Sequence, residues 1–336
     1  MIGAMSGVVR AGCALSCVLL FAGESAGMQP ARTSAGEPEK PRERRAREAV
    51  AASSCSAAIG LLFPGVAQFC LGKTAEGAVI SGLAAAELGV GVSALAMRDE
   101  GLDALSEPSV SVPLVALQYL WVYSYLDGVF ERQRAQHLRY VPLDTPAELA
   151  LAPFTPSVLA KPDVWAGILG SLALGIGATA LIDGGISSDD AGEDPRLFGR
   201  TFSPGVGYPL AAAVGTGIFT HVAVAEEAVF RGFVQSQMSR EMDETRGWVG
   251  ASLAFGAAHA PNVIGLSEGR QAAYLAVAVP LITMLGGYLG MSYRWHDYSL
   301  APPVAIHFWY DLLLSSVDYV LDPRNSSISG RVSLPF

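Results

Sequence analysis

The stretch His221–Gln235, HVAVAEEAVFRGFVQ, decides how the rest of the chain is read. It sets two adjacent carboxylates, Glu226 and Glu227, and one guanidinium, Arg231, among Val222, Val224, Val229, Phe230, Phe233 and Val234. Residues four apart on a helix share a face, so Glu227 and Arg231 can pair. Glu226 is turned about 100° from Glu227 and is free for a different partner. In a soluble protein the same pattern reads as an ordinary ion pair on a wet helix surface. Here the apolar run Ala211–Phe219 lies just upstream. Ionisable groups at membrane depth are costly and usually face an interior cavity with a function.

The composition around that stretch supports a membrane setting. Of 336 residues 51% are apolar and 16% charged, with a mean hydropathy of +0.37, whereas globular domains carry roughly 25% charged residues. Apolar blocks of the ~20 residues that a bilayer core demands recur along most of the length. The expected fold is all-α: a polytopic membrane helical bundle of about eight transmembrane helices. The spans are placed near 51–71, 75–97, 110–130, 163–183, 207–231, 247–264, 271–292 and 300–320. The lipid bilayer is the first partner this implies. No basic stripe interleaves with aromatics and the net charge is −9, which leaves no nucleic-acid partner to expect.

Organisation follows from the same pattern. Residues 1–27, with Arg10 ahead of an apolar stretch, read as a signal peptide or an anchor. Residues 28–50 are a polar tail containing the run Lys40–Arg47. Residues 51–140 form an N-terminal three-helix membrane region, and 141–206 a connection, one span and an acidic loop. Residues 207–320 hold the polar stations described next, and 321–336 are a polar tail. Arginines 132, 134 and 139 would put the 131–162 loop in the cytoplasm and the 184–206 loop outside. That places the basic tail outside, against the same rule, unless a cleaved signal forces translocation. Orientation stays open.

Phe63-Pro64-Gly65, Gln68 and Gly72 form a helix-hairpin signature that says little about activity. Glu87 is an intramembrane carboxylate with no evident partner, read as interfacial or packed against a polar neighbour. The four cysteines show no CxxC and no paired spacing, so Cys55 and Cys70 read as small buried hydrophobes.

Two further polar stations lie in apolar helices. One is Phe255-x-x-x-His259, in a small-residue-rich segment suited to close helix packing, with Pro261 disturbing the helix just beyond. The other is His307-x-x-x-Asp311, both on one face. His221, beside the first station, reads as structural, with a supporting place at that station as the alternative. His137 and His296 fall in polar connections. Carboxylates and imidazoles on three helices suit activation of a water: a carboxylate as general base, imidazoles as metal ligands or oxyanion donors. The zincin spacing HExxH does not occur.

With EExxxR, FxxxH and Hxxx(N/D) in that order, each on its own helix, the chain resembles the CAAX prenyl protease and bacteriocin-processing family of intramembrane metalloproteases. The likeness covers roughly 207–320; the N-terminal half carries none of its motifs. It implies an endopeptidase that hydrolyses a peptide bond of a peptide or protein substrate at the membrane. Carried over residue by residue, the catalytic set is Glu226, Glu227, His259, His307 and Asp311, with Glu226 activating the water. Glu226, His259, His307 and Asp311 would hold a divalent metal, Zn, and Arg231 and Phe255 would give structural support. In the prenyl-protease branch the third motif ends in Asn. An ionised Asp311 cannot donate to an oxyanion, which shifts it towards orienting His307 or ligating metal. A non-catalytic relative acting in immunity or as a scaffold is the rival reading. A transporter would favour repeat symmetry between the halves, and none is seen. The expected location is a bacterial inner membrane.

Overall fold

Runs of apolar residues build the elements of this chain, and proline, glycine and polar turns end them. The computed structural model describes residues 55–98, 105, 107–183, 191–264 and 266–324. The expected signal or anchor and the polar tail up to residue 50 lie outside the described residues. The helices are α1 (Val66–Cys70), α2 (Thr74–Ala96), α3 (Pro108–Ala135), α4 (Pro146–Leu151), α5 (Pro156–Leu159), α6 (Pro162–Asp183), α7 (Pro204–Glu241), α8 (Glu244–His259), α9 (Glu268–Trp295) and α10 (Ala301–Leu321). A short antiparallel hairpin of β1 (Arg196–Leu197) and β2 (Arg200–Thr201) precedes α7, with Leu197 opposite Arg200.

The protein is a helical membrane bundle, as expected, but the spans differ from those read in the sequence. Among the described residues five helices are long and apolar enough to cross a bilayer: α2, α6, α7, α9 and α10. The block at 51–71 is not one rod. Its described part divides into a 3₁₀ turn at Ala57–Leu61 and the short α1. Gly65 between them takes φ +90°, where an added Cβ would run into Ser81 and the Gly77 carbonyl, so glycine is the residue that fits. α3 is long, at 28 residues, but its Ser, Tyr and Asp residues dilute its apolarity. It lies buried along most of its length instead. α8, at 16 residues, is short for a span.

The hairpin signature now has a physical role. Gln68, fully buried, donates to the Ser124 carbonyl at 3.0 Å and to Asp127 Oδ2 at 2.9 Å on α3. Ser124 Oγ donates to Gln68 Oε1 at 3.1 Å and accepts the Gly65 N–H at 2.8 Å. Every polar group brought into this contact is answered, which is what burial requires. Cys55 and Cys70 correct the sequence reading: they are joined by a disulfide, with Cα atoms 5.9 Å apart. Spacing alone did not reveal the pair because the turn at Pro64-Gly65 folds the segment back on itself. Glu87 is packed against a polar neighbour, as read, and the neighbour is His221, whose Nε2 stands 3.0 Å from Oε1. His221 therefore serves α2, not the first station.

α7 continues from α-helix (Pro204–Glu227) through a π-helical stretch (Ala228–Gln235) into a last α-turn. The Ser236 N–H reaches back five residues to the Arg231 carbonyl. Such widened turns concentrate at functional sites. α8 packs closely on α9, where Gly256 faces Thr283, Gly286 faces Phe255 and Gly290 faces Trp248. Tyr119, Phe130, Phe219, Phe230, Phe255 and Phe308, from α3, α7, α8 and α10, share one apolar core. The polar stations sit inside it.

Candidate active site

Six polar side chains from α7, α8 and α10 meet in that core, each at most 9% exposed. The i,i+4 spacing pairs Glu227 with Arg231 as expected: Nη1 donates to Oε1 at 3.0 Å. Arg231 Nη2 donates to the Gly286 carbonyl on α9 at 2.9 Å, and the guanidinium lies 4.3 Å over the Phe255 ring. A buried guanidinium demands partners on every side, and here a carboxylate, a carbonyl and a ring supply them.

Nδ1 of His307 stands 2.8 Å from the same Glu227 Oε1. A carboxylate oxygen accepts, so Nδ1 carries the hydrogen and Nε2 faces the opposite way. There Nε2 lies 3.5 Å from Asp311 Oδ2 and 3.9 Å from Glu226 Oε2. His259 is oriented by its own helix: Nδ1 lies 2.7 Å from the Phe255 carbonyl, again a pure acceptor. Its Nε2 then lies 3.8 Å from Glu226 Oε2. α8 ends at His259, and Pro261 opens a 3₁₀ turn at Ala260–Val263, as the proline predicted. Phe255 contacts both imidazoles, with ring centroids 4.7 Å from His259 and 5.9 Å, edge to face, from His307.

Glu226, turned away from Glu227, has two dissimilar oxygens. Oε1 accepts from the Tyr119 hydroxyl on α3 at 3.1 Å. Oε2 is buried and bonded to no protein atom. Separations of 3.8 and 3.9 Å from it to the two ring nitrogens exceed a direct hydrogen bond. Tyr119 escaped the sequence reading. Its signal, a tyrosine in a moderately apolar helix, is shared by Tyr123 and Tyr125, so nothing local singles it out. The Gly286 carbonyl was missed for the same reason.

A Glu, two His and an Asp are donors that zinc accepts. Adjacent ligands at zinc's ~2 Å bond length lie only about 3.3 Å apart, closer than the 3.5–3.9 Å separations here. Among the described residues no three His, Cys, Asp or Glu side chains are disposed to hold a metal ion. The side chains are not drawn in to zinc's ligand spacing.

A separate chamber of about 1240 Å³ opens between α2, α3, α7 and the β-hairpin, with Glu87 and His221 in its wall. It is lined by none of the motif residues.

Comparison with known proteins agrees with the three motifs. Residues 208–313 match the family model described as Type II CAAX prenyl endopeptidase, Rce1-like. The match contains Glu226, Glu227, Arg231, Phe255, His259, His307 and Asp311, and the recognition made on those residues is borne out over that segment. The family is one of proteases. No curated protein and no solved structure matches the chain.

Proposed function

We propose that the Rce1-like core at residues 208–313 works as an intramembrane endopeptidase in which Glu226 is the general base. The observation that carries the reading is Glu226 Oε2, buried, bonded to no protein atom, and facing Nε2 of His259 and His307. A water held among these three atoms would give its proton to Oε2 while its oxygen attacks the scissile carbonyl carbon. In its doubly protonated form His307 would offer Nε2–H to the oxyanion, with its ring held by Glu227. The protonated Glu226 would then hand the proton to the amide nitrogen as the C–N bond breaks. A new carboxyl and a new amine terminus result, and Glu226 returns to its ionised state.

Glu227 and Arg231 belong to this scheme as supports, since Glu227 Oε1 is taken by Arg231 and His307 and the guanidinium by Glu227 and the Gly286 carbonyl. Asp311 flanks Nε2 of His307 and, when ionised, acts by orientation and charge rather than by donation. The substrate class proposed is a membrane-associated peptide or protein.

The test compares protein N- and C-termini in cells expressing wild type or Glu226→Gln at matched abundance. New termini confined to wild type would support the reading and name the substrates. Identical termini, with both proteins folded and supporting the same phenotype, would replace it with a non-catalytic membrane scaffold.

A further inference from the structure

We infer that Tyr119 is a positioning residue for Glu226, so that α3 completes a catalytic centre whose other side chains all lie within 208–313. The inference rests on the endopeptidase reading above.

Tyr119 is 1% exposed, and a buried phenol seeks an acceptor for its hydroxyl. The acceptor it meets is Glu226 Oε1, at 3.1 Å and across 107 residues of sequence. A glutamate's terminal torsion is broad and roughly two-fold, so an untethered Glu226 could turn either oxygen, or neither, toward the histidines. A hydroxyl on Oε1 removes that freedom and leaves Oε2 aimed at Nε2 of His259 and His307. The departure from Asn at position 311 strengthens the case. When ionised, Asp311 supplies no donor, and the neutral Tyr119 hydroxyl is then a donor this chain brings to the centre from outside its motif helices. α3 is a suitable mount. Val115, Val122, Leu126 and Phe130 bury it in the same core as the site, and the Gln68–Ser124–Asp127 network anchors it further along. The N-terminal half, silent in motif terms, thereby acquires a share in the reaction.

A merely structural account would have the carboxylate satisfy the phenol and nothing more. Tyr119→Phe keeps the ring and removes only the hydroxyl, so it separates the two. The assay uses the purified full chain in lipid vesicles with a fluorogenic peptide spanning a junction found by the terminus comparison. Rates are expressed per folded molecule. Losing a hydrogen bond to a charged group at the reacting centre should lower kcat about 10- to 100-fold, with KM unchanged; the bared Oε1 also lowers the thermal midpoint, an effect that rates per folded molecule set aside. In a Glu226→Asp background, where the shortened carboxylate no longer meets the hydroxyl, the same change should cost much less. Wild-type kcat in Tyr119→Phe, with Glu226→Gln inactive, would overturn the inference and leave the protease reading standing. A raised KM with unchanged kcat would also overturn it, by making Tyr119 a substrate contact. Absence of any Glu226-dependent cleavage would overturn both.

Discussion

Nδ1 of His307 stands 2.8 Å from Oε1 of Glu227, joining the last motif helix to the first. This contact explains why two consecutive glutamates are present. Successive helical residues point about 100° apart, so one carboxylate can hold the framework while the other faces the reacting centre. Glu227, fully buried and tied to Arg231 and His307, holds the framework. Glu226, with one oxygen on Tyr119 and one unbonded, faces the centre.

The two glutamates should therefore fail differently. Glu226→Gln should lower kcat by about 10²–10⁴-fold, the range for a general base, with a near-wild-type thermal midpoint. Glu227→Gln should lower the midpoint as well as activity, because it leaves Arg231 buried without a counter-charge. Parallel cleavage assays and melting curves in detergent check the contrast.

Arg231 and Glu227 are 1% and 0% exposed, and removing one member of a buried pair typically costs about 3–5 kcal/mol. Arg231→Met should show that loss in denaturant titration. Adding Glu227→Gln to it should recover a large part, since no unpaired charge then remains.

Gly286→Ala tests the close approach of α9. Helix propensity alone favours alanine by up to about 1 kcal/mol. The added Cβ would lie 2.9 Å from Phe255 Cδ1 and 3.4 Å from Arg231 Nη2, and the buried Phe255 has little room to yield. Overpacking of this kind costs about 1–3 kcal/mol, so the net effect should be destabilising with reduced activity. Gly170→Ala, where a Cβ meets nothing within 4 Å, should be neutral or stabilising in the same melts.

The disulfide bears on orientation. Disulfides persist in oxidising compartments, so the bundle end that holds Cys55–Cys70 should face outward. Arg132 donates to the Cys55 carbonyl, which places the 131–139 arginines at that same end, against the charge-bias reading. Leu143, 76% exposed, lies beyond the α3 C-terminus, and Met97, 79% exposed, lies at the far end of α2. A membrane-impermeant maleimide should label Leu143→Cys in intact cells and Met97→Cys only after permeabilisation. The reverse pattern would put the disulfide end inside.

Chelation addresses the metal directly. With ring nitrogens and carboxylates separated by 3.5–3.9 Å, water activation by Glu226 and the imidazoles should survive dialysis against EDTA. Loss of cleavage that zinc restores would show that these side chains close around an ion.

Local spacing in the sequence determined a good deal about this protein. Apolar runs gave the membrane bundle and five of the expected spans, and the i,i+4 intervals gave the Glu227–Arg231 pair and the shared face of His307 and Asp311. Pro261 marked the end of α8 behind His259. These features are readable because one helix fixes the relative direction of residues three and four apart. The tertiary structure decided what no interval encodes. Only packing brought Tyr119 to Glu226, Gly286 to Arg231 and His221 to Glu87, and only the fold of the Gly65 turn brought Cys55 to Cys70. Each of these contacts depends on how neighbouring helices, or the two arms of a turn, are rotated and set in depth. Interdigitation of many side chains sets that rotation, and the same packing decided which of two adjacent glutamates turned an unbonded oxygen toward the two histidines.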